Sequence, residues 1–319
     1  MDKPTKSLIK HIPDFLDYCE VEKGLSPVSS RNYHNFLKVF EGWLNHTGQP
    51  DLRPHELTSE HIWNYRLYLS RKQDSAGNFN KKTTQNYYLI ALRNLLNFFA
   101  VRDIASLPAE KIKLPKLTDK DKAIKFLRFD QVEKMLSMPD LSTSEGKRDR
   151  AILEVLFSTG MRVSELTSLN IRMFNLNELL KQKITELELN ISGKGGSIRV
   201  IFFSSRALKW LSGYLATRKD MLPPLFINYK KDKNDSEHRL TSRSIERMVR
   251  KYTAMAGLPV EATPHTLRHS FATDLLTHGA DLRSVQELLG HKNIMTTQIY
   301  THVTNPQLKN VHKKFHSGE

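Results

Sequence analysis

A single cysteine, Cys19, rules out an intramolecular disulfide and any zinc site built on paired thiolates. No stretch reaches the roughly 18 consecutive apolar residues needed to span a bilayer. The first residues lack the apolar run of a secretion signal. These absences predict a protein of the reducing cytoplasm that does not insert into membranes. Also missing are the Gly-rich phosphate loop of nucleotide hydrolases and an acidic cluster of the two-metal kind. Acidic residues are outnumbered, 34 against 49 Lys and Arg, which leaves a formal net charge of +15. Such an excess favours a polyanionic partner, either nucleic acid or an anionic membrane face, or else serves solubility alone.

What is present suffices to build cores. Apolar residues make up 39% of the 319, with three Trp, ten Tyr and fifteen Phe. A chain of this length predicts two domains. The first hundred residues read as four helices with short loops, a compact bundle. The first covers residues 12–23 and stops at Gly24. The second begins after Ser26-Pro27 and carries Tyr33, Phe36, Phe40 and Leu44 on one stripe. The third covers residues 62–69, capped by Thr58 or Ser59, and the fourth carries Leu89, Leu92, Leu96 and Phe99. Arg31, Arg66, Lys72, Lys81, Lys82, Gln85 and Arg93 surround these stripes, as a solvated surface or as phosphate contacts. Residues 106–125 hold Pro108, Pro115 and lysines at 111, 113, 116, 120, 122 and 125. They read as a basic connector across a phosphate backbone, or as a plain tether.

From Phe126 the pattern changes. Helices are expected over residues 130–136, 148–157 and 163–169. Leu187, Leu189 and Ile191 then alternate with Glu188 and Asn190, and Ile198, Val200 and Phe202 alternate after a Ser192-Gly193-Lys194-Gly195-Gly196 turn. That is a β-hairpin with Lys194 at its tip. Helices over residues 207–218, 242–256, 265–278 and 282–289 follow, then a short one near Thr296 and a tail after Pro306. The expected fold is mainly α with one small β-hairpin.

The second half carries residues suited to phosphate chemistry. Arg162 follows Gly160 at a helix start, and a guanidinium fork matches two phosphoryl oxygens at once. Glu165 lies one helical turn on and can hold that fork, or the two form an ordinary surface ion pair. In Thr263-Pro264-His265-Thr266-Leu267-Arg268-His269, Thr263 can cap a helix with Pro264 at its first position. His265, Arg268 and His269 then share one face near a helix N-terminus, where a phosphodiester is a natural shared anion. The spacing of His265 and His269 also suits zinc, but Thr266 stands where the zinc-protease helix has its Glu. No metal or cofactor is therefore expected. Gly290 reads as a helix cap before His291, and Tyr300 follows nine residues later.

The ordered set Arg162, Lys194, His265, Arg268, His291 and Tyr300 resembles the tyrosine recombinase (phage integrase) family, closest to its Xer branch. The local words are Ser158-Thr159-Gly160-Met161-Arg162-Val163-Ser164-Glu165-Leu166, Gly193-Lys194-Gly195, His265-Thr266-Leu267-Arg268-His269-Ser270-Phe271-Ala272-Thr273 and Leu288-Leu289-Gly290-His291 through Tyr300. The resemblance implies a helical, SAM-like core-binding domain over residues 1–105, a linker over 106–125 and a mixed α/β catalytic domain over 126–319 with a tail at 305–319. It implies that Arg162 and Arg268 clamp the scissile phosphate, Lys194 is the general acid, His265 and His291 serve phosphate binding and proton transfer, and Tyr300 is the nucleophile. Glu165 and His269 stand behind them as supporting residues.

The implied partners are double-stranded DNA and other protomers, as a tetrameric synapse on two sites or a hetero-oligomer with a paralogue. A stripe of Leu308, Val311 and Phe315 in the tail is expected to dock on a neighbouring protomer. A type IB topoisomerase and a catalytically silent DNA-binding factor are the alternatives. Asp274 stands where many relatives have His, and the Gly195-Gly196-Ser197 turn is looser than the family's lysine-rich one.

Overall fold

The computed structural model describes residues 5–74, 77–118, 125–181, 184–193, 198–229 and 238–291, together with 293 and 297. Lys194 and its turn, the helix expected near Thr296, Tyr300 and the tail lie outside the described residues, as does part of the expected linker. The chain divides into two compact units, residues 1–123 and 124–319.

Among the described residues the first unit holds four α-helices, α1 (Ile12–Val21), α2 (Pro27–His46), α3 (Ser59–Arg71) and α4 (Lys82–Val101). Ser26 and Thr58 cap α2 and α3 by accepting from the backbone amides of Ser29 and His61. Each such cap contributes about 1 kcal/mol. The expected stripe on α4 is fully buried, through Leu89, Leu92, Leu96 and Phe99. On α2 the buried face is rotated from the expected one. It comprises Leu37, Phe40, Trp43 and Leu44, while Tyr33 and Phe36 only flank the core. Trp43 explains the difference: it lies against Phe40 and Tyr65 and so turns the helix toward α3. The start of the expected connector is packed as well, with Ala109 and Ile112 buried and Leu107 and Leu114 against the same core.

The second unit is built around α6 (Ser144–Thr159), whose Ala151, Ile152, Leu153, Val155 and Leu156 are all buried. Packed with it are α5 (Phe129–Leu136), β2 (Ile198–Phe203), α9 (Ser205–Leu215) and α11 (Pro264–Thr277). The short helices α7 (Val163–Ser168) and α8 (Leu176–Leu180) lead into β1 (Leu187–Ser192), and α10 (Ser242–Met255) and α12 (Leu282–Leu289) belong to the same unit.

Strands β1 and β2 pair antiparallel, with Ser192 opposite Ile198, Ile191 opposite Arg199 and Leu187 opposite Phe203. The alternation expected on β2 is present, but its inward set is Arg199, Ile201 and Phe203. Ile198, Val200 and Phe202 face outward at 74%, 39% and 47% exposure. A strand with apolar residues at both parities can bury either set. Here Ile201 and Phe203 enter the core and carry Arg199 inward with them.

Candidate active site

The site begins where α6 ends. Gly160 adopts φ +58°, and its amide closes the helix on the Leu156 carbonyl. A Cβ there would collide with the Phe271 ring, so only glycine fits both the left-handed backbone and the space. The reversed chain delivers Arg162 to the start of α7. Glu165, one turn on and buried, accepts from the Arg162 amide at 2.7 Å through Oε2 and from Arg162 Nη1 at 2.9 Å through Oε1. The Glu165 carboxyl is held below its ordinary range by these donors and by Arg199, against the opposing effect of burial, which is the largest single influence. The Arg162 side chain keeps 32% exposure, so its fork is held from behind and reachable from outside.

Helix α11 supplies the next groups. Thr263 accepts from the Thr266 amide at 3.2 Å, Thr266 accepts from the Thr263 amide at 3.1 Å, and Pro264 occupies the first turn. This reciprocal cap fixes the N-terminus that carries His265 and Arg268. Among the described residues Arg268 is the largest fully buried side chain. Its Nη1 donates to the Gly160 carbonyl at 2.7 Å and its Nη2 to the Leu289 carbonyl at 2.6 Å. One guanidinium thus ties the loop before Arg162 to the last turn of α12. His265 keeps part of its side chain in solvent while its ring packs into the site, edge to face against His269 at 4.3 Å between centroids.

Helix α12 ends at Gly290, in the left-handed region at φ +64°. His291 follows, held by a reciprocal pair: its amide donates to the Gln286 carbonyl at 3.1 Å, and Gln286 Nε2 donates to the His291 carbonyl at 2.8 Å. Its Nδ1 lies 2.9 Å from Oγ1 of the buried Thr297.

Arg162, His265, Arg268, His269 and His291 therefore come from three separate segments to one locality. Lys194 and Tyr300 lie outside the described residues. Three participants escaped sequence reading. Gln286 and Thr297 orient His291 and gave no signal beyond being polar. Arg199 reaches Glu165 Oε2 at 2.6 Å, and its inward parity could not be told from the alternation alone.

The electrostatics are those of an anion-binding site. Burial, then Arg268 and Arg162, lower the pKa of His265. Burial, then the same two arginines, push His291 down to about 4. Burial, His265 and Arg268 push His269 down to about 3. His269 and His291 are therefore neutral in the folded protein at neutral pH. Because their folded pKa values lie below the unfolded value near 6.5, the unfolded chain binds more protons on acidification. Stability is therefore complete above about pH 6.5 and falls as pH drops toward 4. A bound anion would favour the protonated imidazoles. Calorimetry at pH 6 in buffers of different ionisation enthalpy should accordingly show net proton uptake when a phosphodiester anion binds. Buffer-independent heats would contradict this account of the site.

The Phage integrase family profile matches residues 125–306, and the profile of the phage integrase N-terminal SAM-like domain matches residues 12–103. The chain is 37% identical to a tyrosine recombinase XerD of Listeria monocytogenes, over 96% of this chain and 98% of that protein. It is 34% identical to a tyrosine recombinase XerC of Pelotomaculum thermopropionicum, over 96% and 97%. The XerH site-specific recombinase, solved on palindromic difH substrate after cleavage, shares the fold at TM-score 0.72 and 22% identity, covering 98% of this chain and 97% of that one.

Proposed function

Because the chain belongs to the phage integrase family, as a tyrosine recombinase that cuts and rejoins DNA at specific sites, we propose that Tyr300 attacks a duplex phosphodiester held by Arg162, Arg268, His265 and His291. Lys194 protonates the departing 5′-oxygen. One observation carries this reading: Arg162, Arg268 and His291 are joined through the Gly160 and Leu289 carbonyls into one cationic locality, with His265 at the adjoining helix end.

Attack by a phenol on a phosphodiester produces a five-coordinate state with added negative charge on the nonbridging oxygens. Two guanidinium groups and neighbouring imidazole donors stabilise that charge directly. The phenol, with an ordinary pKa near 10, loses its proton to a neighbouring imidazole, His265 or His291, as it attacks. The alkoxide leaving group needs a proton in return, which an ammonium on a glycine-flanked turn can deliver. The product is a 3′-phosphotyrosyl link that conserves the bond energy, so religation needs no nucleotide hydrolysis.

The domain division follows the same reading: residues 1–105 as a core-binding domain, 106–125 as connector and 126–319 as catalytic domain. Double-stranded DNA is the partner, and a tetramer on two sites, of this chain alone or with a paralogue, is the working assembly. Action on DNA in the cytoplasm belongs to the same reading. Among the described residues no helix is long and apolar enough to cross a membrane. The test is to select bound sequences from random duplexes and assay cleavage of the best in excess EDTA. Site-dependent cleavage that persists there is expected. Cleavage that disappears in EDTA and returns with a divalent ion would overturn the mechanism.

A further inference from the structure

The second unit buries a cation where its own sequence offers an apolar alternative. On β2, the register that faces Arg199 inward leaves Ile198, Val200 and Phe202 outward. Desolvating a guanidinium is costly unless its partners are well placed. The Arg199 side chain is only 9% exposed, and it has such partners.

Its Nη2 donates at 2.6 Å to Glu165 Oε2, the same oxygen that accepts the Arg162 amide, while Glu165 Oε1 holds Arg162 Nη1. Its Nη1 donates at 2.9 Å to the Leu288 carbonyl, and the adjacent Leu289 carbonyl is taken by Arg268. The Arg199 stem lies directly over Gly290, so a Cβ there would sit 2.5 Å from Arg199 Cδ. The left-handed glycine that delivers His291 thus also makes room for Arg199. One planar fork on the hairpin strand reaches both the carboxylate behind Arg162 and the end of the helix before His291.

We propose that Arg199 is a positioning residue for strand cleavage, which locks the Arg162 fork and the Gly290-His291 corner into one arrangement through Glu165 and the Leu288 carbonyl. This rests on the reading of Arg162 as a phosphate clamp. Glu165 has donors from both arginines. Without Arg199, it keeps its bonds to Arg162 but loses the contact that fixes its own position. The last turn of α12 loses one of its two side-chain donors. Arg199 touches no reacting atom in this scheme; it acts through Arg162 and His291.

The test is a double-mutant cycle on the full-length enzyme, reading the single-turnover rate of covalent adduct formation on a nicked duplex. Arg199→Met keeps the stem and removes the fork. It should bind the duplex within about twofold of the parent and form adduct on the order of 10- to 100-fold more slowly, as when an outer group that orients a functional one is lost. Arg199→Lys keeps the charge, but one ammonium cannot replace both arms of the fork, so its rate should fall between the two. Added to Arg162→Ala, Arg199→Met should cost clearly less than it does in the parent, the part that remains being what it transmits to His291 through the Leu288 carbonyl, since residues that act as a unit are not additive.

A parental rate in both Arg199 variants, or a full multiplicative loss on top of Arg162→Ala, would overturn the proposal while leaving the clamp intact. If Arg199→Met does not fold, Arg199→Lys takes its place in the cycle, and the same two results decide. If the parent forms no adduct, the reading of the site fails and the proposal falls with it.

Discussion

Lys194→Ala should cleave an ordinary duplex about 10²–10⁴-fold more slowly than the parent, the usual loss for a missing general acid, and should recover nearly the parental rate when a sulfur replaces the bridging 5′-oxygen. The reasoning starts from the hairpin. Its strands pair out to Ser192 and Ile198, and Lys194 lies in the sequence between them. Gly193, Gly195 and Gly196 flank it, and small residues let a turn approach a DNA backbone closely. An ammonium there can do one of two things. It can neutralise charge on the phosphate, or it can protonate the departing oxygen. A thiolate departs without a proton, so the substituted duplex separates the two roles.

Arg268→Ala is the control for the other role. In the proposed mechanism its guanidinium acts on nonbridging oxygens, and those are unchanged in the sulfur substrate. Its defect, on the order of 10²–10³-fold as for other lost transition-state donors, should be the same on both duplexes. Because Arg268 is also buried and holds two backbone carbonyls, its thermal unfolding should be measured alongside. Equal defects for Lys194→Ala on both substrates would assign Lys194 to phosphate binding, with His265 as the next candidate for the acid.

The helical outline was legible because its signals are local. Ser26-Pro27, Thr58 and Thr263-Pro264 mark helix starts through caps that use the residue itself and the next turn. Gly160 and Gly290 mark helix ends, since both adopt the left-handed conformation that other residues resist. The pairing of Arg162 with Glu165 was legible for the same reason, being one helical turn long.

What could not be read depends on distant partners. The rotation of α2 is set by Trp43 meeting Tyr65 from another helix. The inward parity of Arg199 follows Ile201 and Phe203 into the core, and the fork finds its partners in Glu165 and the Leu288 carbonyl, far along the chain. The sequence placed Arg268 beside His265 and His269 on one face near a helix N-terminus but gave no sign of its depth; it is among the most buried side chains, because the carbonyls of Gly160 and Leu289 converge on it. Likewise, Gln286 supports His291 only through the geometry of the helix end.

The central claim is that Tyr300 becomes covalently joined to DNA. Tyr300→Phe removes only the attacking oxygen, so it should bind the selected duplex like the parent and form no adduct, the complete loss expected of a missing nucleophile. The most direct measurement uses the parent enzyme and a nicked duplex that traps the cleaved state, in excess EDTA. The denatured complex is digested with protease and nuclease, and the modified peptide is sequenced by mass spectrometry. The predicted product is a nucleotide joined through its 3′-phosphate to Tyr300, with a free 5′-hydroxyl on the other DNA fragment, and no such peptide from Tyr300→Phe. An SDS-resistant complex from the Phe variant, a link on any other residue, or a bond through a 5′-phosphate would contradict the account.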